Sequence, residues 1–389
     1  MIRNIHNPAL RAARFPLHPR PLEDELLSSW LIRIAYRHKT DPVSFANLYL
    51  PDWKFILWSR DFDTTADWKL LEALSYKSRQ SIEALYSLTL RSYEGFLAEE
   101  LTDKTRNLLV QPLVNYSHTK VGYGLRYCPL CLREDEKPYF RRKWRLSFST
   151  ACVKHSCFLL DRCTACSTPL TLSKLHDDRP VFHCYRCGHE YAKSETEPVD
   201  GGSYGLEAIA SLHRILDHGF FHTGDMWTYS FAFFSVLKQL VKVAYWWGKT
   251  EGFLDHEVMT GKIAYLSGRP RLNLIENIPL KEQYLLFSGL MRLFEDFPSR
   301  LIRFCETNKV RKTDLTKDMH SVPFWYSNVA ERFNGEYCAI SPEEVSSVIT
   351  YLKDRRIPIS AAKVSRLVGR GIDFRKRKDL RVLFSNGQC

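Results

Sequence analysis

Apolar residues recur at helical spacing over most of this chain. Leu26, Leu27, Trp30, Leu31, Ile34 and Ala35 mark a first helix within 21–36. Glu23, Asp24 and Glu25 fall in its predicted first turn, where they would oppose the positive end of the helix dipole. Asp41-Pro42 predicts a second start, with aspartate as cap and proline at the first helical position. Leu70, Leu71 and Leu74, then Ile82, Leu85 and Leu88, predict two short helices within 68–97, separated by the polar stretch 75–79. Helix, short polar turn and helix is the outline of a helix-turn-helix, and any small helical bundle shares it. The longest apolar run, Met226 to Trp247, is interrupted by Lys238, Gln239 and Lys242. It therefore predicts a buried helix and not a membrane span. Leu286, Leu290, Leu293 and Phe294 form a later stripe, broken at Pro298 and resumed by Leu301 and Ile302. Ser341-Pro-Glu-Glu344 predicts a capped helix start. A short helix follows from Ser360 to Val368, then Gly369 and Gly371 at a turn, then the basic run 373–378.

Between 125 and 195 the pattern changes to turns and short strands, and the cysteines gather there. Eight of the 11 lie from Cys128 to Cys187. Two ligands separated by two residues suit a tight turn that aims both side chains at one ion. Cys128 and Cys131 match Cys152 and His155; Cys163 and Cys166 match Cys184 and Cys187. Two structural zinc ions are the expected cofactors, because thiolate and imidazole suit zinc. Four protein donors close each site and leave no position for an activated water. Disulfides and an iron–sulfur cluster compete for the same thiols. The first suits a short secreted chain with a leader, whereas this one opens Met-Ile-Arg-Asn without an apolar stretch. The second fits the histidine poorly. His183, His189 and Cys157 lie close enough in sequence to replace a ligand. Cys305, Cys338 and Cys389 are isolated and read as ordinary thiols. Free thiols imply a reducing, cytoplasmic compartment.

Charge narrows the partner. The net charge is +12, and 353–381 holds 11 Lys/Arg against 3 Asp, or +8 of it. That favours nucleic acid or a nucleoprotein, with a solvated basic tail as the plain alternative. Lys363, Arg366, Arg370, Arg375, Lys376 and Arg377 are the candidate contacts with nucleic acid or a partner. Arg141, Arg142, Lys143 and Arg145 offer a second cluster within reach of phosphate, with Trp144 packed on the first cysteine turn. Enzyme motifs fail: Gly248-Lys-Thr250 lacks the earlier P-loop glycine, His256-Glu257 lacks its second histidine, and no histidine has glutamate two residues on. A nuclease site of scattered carboxylates stays open. The expected fold is mainly α with small zinc-ribbon β elements. It has an N-terminal helix-turn-helix-like bundle (1–124), a tandem zinc-binding region (125–195) and a C-terminal helical domain with a basic helix-turn-helix-like end (196–389). The polar stretch 194–203 forms the second boundary.

With these residues in hand, the chain resembles the TniQ/TnsD family of bacterial transposon target-selection proteins. The likeness rests on Phe15-Pro-Leu-His-Pro with Glu25-Leu-Leu-Ser-Ser-Trp-Leu-Ile-Arg33. It continues through Arg126-Tyr-Cys-Pro-Leu-Cys-Leu132, Trp144-Arg145, Cys152-x-x-His155 and Leu159. The ribbon Cys163/Cys166 with Cys184/Cys187 follows, then, more weakly, Leu293-Phe-Glu-Asp-Phe-Pro298. The resemblance implies a non-catalytic adaptor, not an enzyme, that links target recognition to a TnsC-type AAA+ ATPase. The length is similar to that of TniQ in CRISPR-associated transposons. That branch implies a bacterial, cytoplasmic homodimer docked on a Cascade–guide RNA complex, meeting target DNA directly or through the complex. The alternative is a TnsD-like selector that binds its DNA site through the C-terminal basic segment.

Overall fold

The computed structural model describes residues 13–58, 60–101, 107–113, 123–175, 180–200, 203–224, 226–246, 278–334 and 341–368. Two compact units divide at Phe333/Asn334. The architecture is mainly helical, with two small two-stranded antiparallel sheets.

The first unit begins with helix α1 (Leu27–Arg37), buried nearly all round. Leu27, Trp30, Leu31 and Ile34 pack into a core with Phe15, Phe45, Tyr49, Leu70, Leu74 and Leu85, while Ile32 joins the larger core on the other side. Glu23, Asp24 and Glu25 do not form its first turn, contrary to the dipole argument. The helix starts at Leu27 with no acidic residue in that turn, and Asp24 sits at φ +55°. Tertiary cations explain the difference: Glu25 pairs with Arg33 (2.7 Å) and Asp24 with Arg142 (3.4 Å).

Helix α2 (Pro42–Tyr49) starts at its predicted cap, where Asp41 accepts from the Ser44 N–H at 2.8 Å. Helix α3 runs from Trp68 to Ser78 and takes in most of the stretch expected as a turn. The break comes at Arg79, in the left-handed conformation, and α4 (Ile82–Tyr86) begins under a Ser81 cap. Helix α5 (Pro129–Glu134) and strands β1 (Ala151–Cys152) and β2 (Cys157–Phe158) carry the cysteine-rich region.

Helices α6 (Tyr204–His218), α7 (Ser230–Val241), α8 (Leu280–Arg292) and α9 (Ser299–Thr307) continue the large core. Gly205 lets α6 meet α8, because a β-carbon there would fall on the Tyr284 phenol. The run from Met226 is not one helix. Met226–Tyr229 is strand β4, paired with β3 (Phe220–Thr223) in a hairpin after the Gly219 cap, and α7 starts only at Ser230. Phe221 points inward onto Phe233 (ring centroids 4.2 Å), while Phe220, His222, Trp227 and Tyr229 face outward. Two short helices, α10 (Lys312–Thr316) and α11 (Phe324–Ala330), complete the unit. No helix among the described residues is long and apolar enough to cross a membrane.

The second unit holds α12 (Pro342–Asp354) and α13 (Ala361–Leu367) around Val345, Ile349, Leu352 and Val364. Ser341 and Glu344 form a reciprocal capping box, and Ser360 caps α13.

Candidate metal centres

Two four-donor groups assemble among the described residues: Cys128, Cys131, Cys152 and His155, and Cys163, Cys166, Cys184 and Cys187. Within each, all donor atoms lie within 4.8 Å of one another. The sequence builds the first group from a helix start and a hairpin. Pro129 takes the first helical position, so the Cys128 sulfur accepts the Cys131 N–H at 3.4 Å, and both sulfurs point off the same end of α5. Opposite lies the β1–β2 turn, where Ser156 at φ +46° reverses the chain and turns Cys152 and His155 toward α5. His155 Nδ1 lies 3.4, 3.3 and 3.5 Å from the sulfurs of Cys128, Cys131 and Cys152. The sulfurs of Cys131 and Cys152 are 3.7 Å apart.

These edges test whether a metal fits. A tetrahedral ion with zinc–sulfur bonds near 2.3 Å and zinc–nitrogen near 2.0–2.1 Å places sulfurs about 3.8 Å apart and sulfur and nitrogen about 3.5 Å apart. The group matches both separations. Cys157 sits 3.7 Å from Cys128 and is hydrogen-bonded there, but it stands outside the four-donor group. Hydrogen bonds from the thiols of Cys131, Cys152 and Cys157 hold the Cys128 thiol far below its ordinary range, and the bond to Cys128 pushes Cys131 and Cys157 up. Uptake of a metal ion by these thiols would release their protons.

The second group is made of two matched turns. Ser167 N–H donates to Cys163 O (2.9 Å) and Gly188 N–H to Cys184 O (2.8 Å). Both residues take positive φ, +56° and +78°. The sulfurs meet across the turns, Cys163 with Cys187 and Cys166 with Cys184, each pair 3.6 Å apart. His183 faces Val181 O and His189 faces Ser194 Oγ, so neither histidine enters the group. The groups differ in exposure. Cys128, Cys131 and Cys152 are buried, whereas Cys166 is half-buried and Cys187 exposed.

Polar contacts with no local sequence signal fix this region to its surroundings. Arg126, fully buried, donates to the carbonyls of Leu146, Ser147 and Ser149 and to Gln283 Oε1 on α8 at 2.6 Å. Burial pulls its guanidinium down to about 10 against the attraction of Asp161. Arg145 is likewise buried, paired with Asp61 and with Asp63 (3.1 Å) and donating to Gln111 O. Burial lifts the Asp63 carboxyl to about 6 despite Arg145, and Asp61 adds to the lift. Each cation of the 141–145 cluster has a carboxylate partner within the fold. Arg141 pairs with Asp135, Arg142 with Asp24, Lys143 with Asp217, and Arg145 with Asp61 and Asp63. Trp144 is buried in the core, with the Arg141 guanidinium 4.8 Å from its ring.

Near the N-terminus, Trp30 Nε1 donates to Pro19 O (2.8 Å), Ser29 Oγ to Glu25 (3.1 Å), and Arg33 to both Glu25 and Arg20 O. Thus Ser29, Trp30 and Arg33 fasten the proline-rich opening segment onto α1. The TniQ family model matches residues 16–159, from this fastened segment through the whole first donor group. That match covers somewhat more than a third of the chain. No curated protein matches the chain. The second donor group and the helices after it lie beyond the TniQ match.

The nucleic-acid candidates divide. Lys363 and Arg366 lie on α13, the first half-buried and the second exposed. Arg370, Arg375, Lys376 and Arg377 lie outside the described residues.

Proposed function

We propose that this TniQ-domain chain is an adaptor of RNA-guided DNA transposition in the bacterial cytoplasm. A homodimer docks on a Cascade–guide RNA complex and recruits a TnsC-type AAA+ ATPase to the target. Each chain holds two structural zinc ions, one on Cys128, Cys131, Cys152 and His155, the other on Cys163, Cys166, Cys184 and Cys187. The observation that carries the reading is the TniQ match enclosing a four-donor group with tetrahedral edges. Four protein ligands per ion suit scaffolding and leave no place for a reacting water. The three segments read from the sequence, 1–124, 125–195 and 196–389, serve here as a helical platform, a metal-braced middle and a helical partner-facing part.

A second reading is supported by the second unit. There Lys353, Arg355, Arg356 and Arg366 are exposed on and beside two capped helices. A TnsD-like selector would use this unit, with Lys363 and the basic residues after it, to bind duplex DNA.

Size-exclusion chromatography with light scattering separates the readings. The chain is run alone and mixed with Cascade–guide RNA complex from the same source. Co-migration at a defined ratio supports the adaptor. A folded, metal-loaded chain that ignores the complex but binds one duplex site selectively supports the selector.

A further inference from the structure

We propose that Glu134 is the outer carboxylate of the first metal centre, a positioning residue that fixes the tautomer and orientation of His155. This rests on the metal reading above. Cys131 and Glu134 are one turn apart at the end of α5, and they grip the same imidazole from its two sides. Cys131 Sγ is 3.3 Å from Nδ1, and Glu134 Oε2 is 2.9 Å from Nε2.

The chemistry follows from the ring. A neutral imidazole carries one proton, and the nitrogen facing the ion must be the bare one. Nδ1 faces the three sulfurs, so the proton belongs on Nε2, and Glu134 is the acceptor that holds it there. The hydrogen bond also raises the basicity of the ligand nitrogen. Lys154 Nζ lies 2.8 Å from the same Glu134 oxygen. Three thiolates, a dication and Glu134 would leave the site anionic, and the ammonium offsets that charge. No such outer carboxylate contacts the Cys163 group among the described contacts, because four thiolates present no ring to orient.

The test uses the full chain loaded with zinc, with Glu134→Gln and Glu134→Ala variants. Release to a competing chelator is followed in two phases, and cobalt loading distinguishes the three-sulfur from the four-sulfur chromophore. Glu134→Ala is expected to weaken the ion at the histidine-containing centre about ten- to a hundredfold and leave the ion at the all-cysteine centre unchanged. Glu134→Gln, whose amide oxygen still accepts the Nε2 proton, should fall between alanine and wild type. Nitrogen NMR of the imidazole should show Nε2 protonated in wild type. Wild type with two ions, and alanine holding the ion beside His155 as tightly, would overturn this proposal alone. Wild type with no ion on the His155 group would overturn the metal reading itself.

Discussion

His213 lies where α6 meets the cysteine-rich region, its ring on Phe148 (centroids 5.5 Å) and its Nε2 2.7 Å from Ser149 Oγ. Burial pulls its pKa down to about 4 from 6.5, and nearby Lys143 adds to the pull. The folded state therefore refuses a proton that the unfolded chain accepts. Its contribution is fully present above pH 6.5 and is lost as pH falls through about 6.5 to 4, by at most about 3 kcal/mol. Urea unfolding at stepped pH should show this acid loss, and His213→Gln should flatten it. Nothing in the sequence marks the residue, because Ser149 is 64 positions away. Arg145 and Asp63 hid for the same reason at a separation of 82. A run of arginines reads as a phosphate surface until the fold brings its carboxylates in. The two four-residue groups were legible because each pair of a tight turn is local, and only the joining of the pairs is tertiary.

At the scale of elements, caps announced themselves. Asp41 and Ser341 each accept from a first-turn N–H, as their sequence context predicts, and Ser360 does the same at the start of α13. The β3–β4 hairpin did not. Its outward residues are aromatic where polar residues would signal a half-buried strand, so the apolar run into α7 looked continuous. The cysteine turns carry a prediction of their own. With Cys187 exposed and Cys166 half-buried, the all-cysteine group should yield its ion to a chelator before the buried group that includes His155. A chromogenic chelator would resolve two steps, and Cys166→Ala should abolish the first. That variant should also lose fold in the middle of the chain, since binding of structural zinc is worth roughly 10–16 kcal/mol in small peptides.

For the whole molecule, the two units have separate apolar cores. The second relies on Val345, Ile349, Leu352 and Val364, while the first closes its clusters without them. A chain ending at Phe333 should accordingly stay folded, bind two ions and melt within a few degrees of the full protein, about the shift of 1 kcal/mol or less. Calorimetry with metal analysis checks this, and loss of either ion would contradict it. The first unit is bound together across great distances in sequence. Arg126 and Gln283 are 157 residues apart. At roughly 5–20 residues per second, Arg126 is added to the chain roughly 8–30 s before Gln283. During that interval the nascent cysteine-rich segment carries an arginine whose last partner does not yet exist. Metal loading can precede the end of translation, but the seam between the cysteine-rich region and α8 can close only after Gln283 has been added.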